Sequence, residues 1–216
     1  MKKTKAGAIV IAFSLLVLSG IPAYATLIYS TFGEGGSYSS ETLDATYYGQ
    51  YEKGDYNSIV VAQFRPSSDF LLDSITFASS NLYNQTHQAT VSLTSSTHWD
   101  INTYESMSVQ TSSMGIYTVT SNLHPGLEAG TLYWVMISSP DAWETFSPSY
   151  WLGNNIGLKG VWIGAPVIDE IGWYYSTEKP TPAFAVYGSP VPIPGAAWLL
   201  GSGIVGLIGL KRRMRK

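Results

Sequence analysis

The sequence predicts an all-β protein: an antiparallel β-sandwich of jelly-roll-like form, with a signal peptide before it and a C-terminal transmembrane helix after it. Three observations predict this. Segments in which apolar and polar residues alternate are plentiful between Thr26 and Pro190, whereas amphipathic helical stretches are hard to find there. Clusters of turn-forming residues separate those segments. Both ends of the chain depart from the middle in charge and hydropathy.

Residues 1–25 have the layout of a secretory leader. Lys2, Lys3 and Lys5 make a cationic start, Ala6 to Leu18 is apolar, and Ala23-Tyr24-Ala25 is a small-x-small cleavage site. The apolar run is short for a membrane span, which favours removal over anchoring. The expected partners here are the Sec translocon and a signal peptidase whose pocket admits only small side chains at Ala23 and Ala25.

Residues 26–190 are expected to form one exported β-domain, long enough to bury a core. Thr26 to Asn57, rich in Gly, Ser and Tyr, reads as one early strand and otherwise loop. Ser58 to Arg65 places Val60, Ala62 and Phe64 on one face. After the turn Pro66-Ser67-Ser68-Asp69, Ile75 and Phe77 share a face, with Thr76 opposite. Ala89 to Thr94 alternates cleanly, with Ala89, Val91 and Leu93 together. Gly115 to Thr120 is a short strand, followed by a turn at Pro125-Gly126. Thr131 to Ile137 is apolar on both faces and reads as a central buried strand ending at Ser139-Pro140-Asp141. Ser176 to Pro182 reads as a polar turn, and Ala183 to Tyr187 as the last strand. The short linker Ser189-Pro190-Val191 leads to the tail. No repeat period is visible.

The tail, 191–216, is built in three parts. Pro192 and Pro194 hold Val191 to Gly195 extended. Val191 to Leu210 is twenty residues without a charge, enough at ~1.5 Å per residue to reach roughly 30 Å. The membrane helix is expected over about 196–210, with Trp198 at the interface and Gly201, Gly203, Gly206 and Gly209 open to close helix packing. Lys211, Arg212, Arg213, Arg215 and Lys216 form a cytoplasmic stop, which leaves the domain outside, as the leader also requires.

Charge and cysteine content exclude several function classes. The domain holds four basic against fifteen acidic side chains, a net of −11, so it should repel nucleic acid. There is no cysteine, which removes disulfides, thiol redox chemistry and Cys-ligated zinc. His87, His98 and His124, spaced 11 and 26 apart, match no metal-ligand pattern. Gly33-Glu34-Gly35-Gly36 neither follows an apolar strand nor opens a helix, so it reads as a turn. Asp69, Asp73 and Asp141, placed in turns, have the oxygen chemistry of calcium ligands, but no D-x-D-x-D-G loop accompanies them; a solvated acidic surface is the preferred reading. Asp169-Glu170 is the densest acidic pair, and neighbouring strand residues point apart, against joint catalysis. No catalytic residue, metal or cofactor is expected.

Trp143, Trp151, Trp162 and Trp173, with Tyr150, Tyr174 and Tyr175, crowd one stretch before the last strand. Aromatic faces stack on sugar rings, which makes these tryptophans candidate carbohydrate contacts. Core packing in a disulfide-free sandwich is the competing and preferred reading.

The order V-P-x-P, then W-L-L-G-S-G, then an Arg-rich end resembles the PEP-CTERM sorting signal, with Ile193 where glutamate usually stands. Val191, Pro192, Pro194 and Gly195 match its recognition segment, and Lys211, Arg212 and Arg213 its stop. The resemblance implies processing by an exosortase, a membrane enzyme of Gram-negative bacteria that make extracellular polysaccharide. A-Q-F-R-P, L-L-D-S-I-T-F, G-T-L-Y-W-V-M and P-A-F-A-V-Y-G are similar to the choice-of-anchor R domain over about 45–188, which implies an exported β-domain without catalytic residues. The expected function is therefore a non-enzymatic surface or matrix protein, held at least transiently in the membrane and associated with exopolysaccharide. The alternatives are a carbohydrate-binding module using the Trp-rich stretch and a secreted hydrolase.

Overall fold

A computed structural model of the protein describes residues 25–41, 48–51, 54–57, 59–81, 86–95, 102–138, 149–167 and 170–191. Within them the chain is all-β and its sheets are antiparallel; among the described residues no helix is long and apolar enough to cross a membrane. The transmembrane helix expected at 196–210, the basic end 211–216 and most of the leader lie outside the described residues.

The strands are β1 (Thr26–Ser30), β2 (Tyr48–Tyr51), β3 (Gly54–Asn57), β4 (Ile59–Phe64), β5 (Phe70–Asn81), β6 (His87–Thr94) and β7 (Thr103–Thr111). They continue with β8 (Gly115–Thr120), β9 (Gly126–Leu127), β10 (Tyr133–Ser138), β11 (Ser149–Trp151), β12 (Lys159–Val167), β13 (Glu170–Pro180) and β14 (Phe184–Pro190). One six-stranded sheet runs β1-β14-β5-β11, with β8 and β9 also paired to β5. A second runs β13-β12-β4-β10-β6-β7, and β2 and β3 make a separate hairpin.

One hydrophobic cluster joins the two six-stranded sheets. Leu72, Ile75 and Phe77 of β5 and Phe184 and Val186 of β14 meet Val60, Ala62 and Phe64 of β4, Val91 and Leu93 of β6, and Tyr133, Val135 and Ile137 of β10. Each is almost fully buried; the positions alternate along their strands, except that an irregularity at Asp73 brings Leu72 inward with Ile75 and Phe77. Strand β10 is central, as its two apolar faces require: Val135 and Ile137 fill the core while Trp134, at 7 % exposure, and Val61 of the neighbouring β4 are buried on the other side.

Several local expectations are corrected. The polar run from Ser176 is β13 as far as Pro180, and Thr181 to Ala183 is not a turn but runs on past residues 152–158, with Pro182 bridged to Gly153; β13 is a sheet edge, where Glu178 is exposed. Ser189 and Pro190 are not linker but the end of β14, paired with Leu71 and Phe70. Proline is tolerated there because it is the last residue of the strand, past Gly188, where pairing with β1 has ended. The segment before Asn57 holds the β2–β3 hairpin besides β1. Asp73 lies inside β5, not in a turn. Strand β7, which polar residues obscure, carries Glu105, Met107, Val109 and Thr111 inward.

Candidate functional site

Trp151, a candidate sugar contact and the last residue of β11, is a core residue. Trp151 is 3 % exposed, its indole Nε1 donates to the Ala183 carbonyl at 3.1 Å, and its ring meets Phe184 edge-on at 5.7 Å. It is therefore withdrawn as a carbohydrate contact: a large ring with one donor is satisfied wholly inside. Trp143 lies outside the described residues. For Trp162 and Trp173 the backbone alone is described, with Trp162 opposite Tyr175 and Val61, and Trp173 opposite Gly164.

At the 154–158 loop the chain forms an open cleft of about 440 Å³ lined by Ser39, Glu41, Asn155, Lys159 and Glu178, with Leu158 and Pro180. Asn154 builds one of its walls. Its Oδ1 accepts from the Ile156 and Leu158 amides at 3.1 and 3.0 Å, and its Nδ2 donates to the Leu158 and Thr181 carbonyls at 2.7 Å each. All four bonding positions of the amide are used, so Asn154 holds the 155–158 loop and has nothing left for a ligand. Asn155 donates to Ser37 Oγ at 2.9 Å, tying that loop to the turn that follows Gly33–Gly36. The charged groups at the cleft are one ammonium and two exposed carboxylates, and Leu158 and Pro180 add apolar surface beside them.

A second polar construction lies where β14 ends and the tail begins. Glu105, 6 % exposed, accepts from Ser121 Oγ at 2.5 Å and from the Asn122 and Leu123 amides at 2.7 and 3.1 Å. Burial would raise its pKa, but these hydrogen bonds and the nearby His124 outweigh that and hold the carboxyl below its ordinary value. Ser121 Oγ also accepts from the His124 amide at 2.9 Å. His124 sits at φ 45°, in the left-handed region. Its Nδ1 is 2.9 Å from the Leu72 carbonyl, which can only accept, so Nδ1 carries the proton; the same atom is 3.4 Å from Asp73. Asp73 in turn accepts from Ser189 Oγ at 2.5 Å, one residue before β14 ends.

The remaining polar candidates are dispersed. Among the described residues no three of His, Cys, Asp or Glu gather as a metal site. Asp69 accepts from the Ala129 amide at 2.8 Å and so ties the turn before β5 to the loop before β10, while Asp141 and His98 lie outside the described residues. Gly33 to Gly36 forms a single 3-10 turn. Of the sorting-signal residues, Val191 is described and exposed, and Pro192, Pro194 and Gly195 are not described. Ala25, exposed, immediately precedes β1; Ala23, Lys211, Arg212 and Arg213 lie outside.

Sequence reasoning missed Glu105 and Asn154. Glu105 stands in phase with Met107 and Val109, which marks a charge on the inward face. Asn154-Asn155 ahead of Gly157 is a turn signal. Comparisons with protein-family models, characterised proteins and solved structures give no match to this chain.

Proposed function

We propose that this is an exported, non-enzymatic surface or matrix protein: a jelly-roll-like β-sandwich led out by a signal peptide and sorted through a PEP-CTERM-like tail by an exosortase-like membrane enzyme. The observation that carries the reading is the tail itself. Twenty uncharged residues, Val191 to Leu210, stand between the Pro192/Pro194 hinge and five cations, and they start directly after the last strand at Pro190. A span of that length and that charge asymmetry supports a membrane helix with its basic end inside. The acidic, cysteine-free domain suits an extracellular setting without dependence on disulfides.

The test is mass spectrometry of the mature protein from the cell surface. The expected chain begins at Thr26 and ends between Val191 and Gly195. Recovery of Lys216 on surface protein would replace sorting by plain anchoring. Unchanged placement of a chain truncated after Pro190 would remove both.

A second reading, a carbohydrate-binding module, draws on the polar cleft of Glu41, Asn155, Lys159 and Glu178 rather than on Trp151. Titration of the purified protein with exopolysaccharide from its own source checks it. Binding that weakens in Lys159→Ala and Glu178→Gln supports the module, and no heat of binding at millimolar sugar removes it.

A further inference from the structure

We propose that the tail end of the first sheet is a lipid-docking rim, in which Leu123, Leu27 and Val191 rest on the outer face of the membrane while the tail is in place. The inference deepens the reading above, since it takes the tail as a membrane segment.

Three observations converge on this end of the sheet. The first is where the chain leaves the fold. Pro190 is held opposite Phe70, and only Val191 to Gly195 separate it from the expected helix at Ala196. Five residues span at most roughly 18 Å, so this end of the sheet lies within that distance of the lipid.

The second is what is exposed there. Strand register aligns Leu27, Tyr187, Ser74 and Thr120 in one row across β1, β14, β5 and β8, a width of three strand spacings or roughly 14 Å. Just past Thr120 comes Leu123, at 70 % the most exposed large apolar side chain among the described residues, and just past Pro190 comes Val191 at 42 %; Leu27 is 52 % exposed. A single exposed apolar side chain needs no explanation, but three toward the end of the sheet from which the apolar tail departs do.

The third is how Leu123 is held. The loop that carries it is pinned from beneath by the buried Glu105 carboxylate, which takes the Asn122 and Leu123 amides, and it closes through His124 in a left-handed conformation. A non-glycine residue in that region costs free energy. Fixing a leucine rigidly in water gains nothing for folding, whereas a rigid apolar tip enters an interface with little loss of entropy. The occupant is a lipid surface rather than a protein partner, because the tail would bring the interface within reach of all three side chains at once. A zwitterionic surface fits best, since the domain's net charge of −11 opposes anionic headgroups.

Because the chain lacks cysteine, single labels can be placed cleanly. Full-length protein with one cysteine at a time, Leu123→Cys, Met114→Cys or Ile204→Cys, would carry a polarity-sensitive fluorophore in phosphatidylcholine vesicles. Met114, 52 % exposed in the turn before β8, marks the opposite end of the sheet, where Gly115 pairs with Ser79. Lipid-borne nitroxide should quench the label at 123 several-fold more than that at 114. Equal quenching at 123 and 114, with the label at 204 shielded from aqueous iodide, overturns the docking rim and leaves the membrane tail intact. A label at 204 open to iodide overturns both.

Discussion

Two loops of this protein do the same structural job with different chemistry. Residues 155–158 are held by the Asn154 carboxamide, and residues 121–124 by the Glu105 carboxylate. Each polar group is buried, each accepts two loop amides, and each loop displays apolar side chains: Ile156 and Leu158 in one, Leu123 in the other. The amide clamp is neutral and spends donors as well as acceptors, so it is closed to protons. The carboxylate clamp bonds more strongly while ionised and fails when protonated. Acid sensitivity is therefore expected at the end from which the tail departs.

The largest effect is expected where the amide clamp meets the shared core. Phe184 is fully buried against Tyr29, Phe64 and Trp151, so Phe184→Ala should cost ~3–5 kcal/mol in denaturant unfolding. It should also loosen Trp151, which calorimetry and tryptophan fluorescence would both register.

Next come the clamps themselves. Asn154→Ala leaves the Ile156 and Leu158 amides without their acceptor, and Glu105→Ala does the same to Asn122 and Leu123, each at about 1–3 kcal/mol per stranded group. Hydrogen exchange should rise only at the loop whose clamp was removed. If exchange spread evenly over both loops, the clamps would not be independent and the comparison would break.

Acid sharpens it further. The folded pKa of Glu105 lies below its unfolded value, ordinarily about 4.3. Its contribution is therefore present above that value and lost as pH falls through the folded pKa. Protection at Leu123 should fall with acid in this range while protection at Leu158 holds. Glu105→Gln should lower stability at neutral pH and flatten that part of the acid profile.

The smallest effect belongs to the loop tip. Leu123→Ser, at a 70 % exposed position, should change stability by less than about 0.5 kcal/mol, read as an unchanged melting midpoint.

Legibility in the sequence followed the number of faces that water touches. Strand β8 and the inward triplet Val60, Ala62 and Phe64 were readable because each segment contrasts two faces. Strand β7 was obscured because its inward set includes Glu105 and Thr111, polar groups that look solvent-directed until their partners are known. The edge strand β13 was obscured for a different reason, since its last residues, Ser176 to Pro180, have the polar composition of a turn. Among site residues, Trp151 carried no local mark separating a sugar platform from a core ring, for composition is the same in both.

By itself the sequence determined what period and charge determine: an all-β body, its apolar faces, and the contrast between acidic domain, uncharged span and cationic end. Those properties are sums over neighbouring residues, which the chain order contains directly. The tertiary structure decided that Trp151 is buried, that Glu105 is an inward clamp, and that Ser189 meets Asp73 across 116 positions. The physical reason is that burial of a polar or aromatic group becomes favourable only when distant strands deliver its partners, and that delivery is a property of the closed fold.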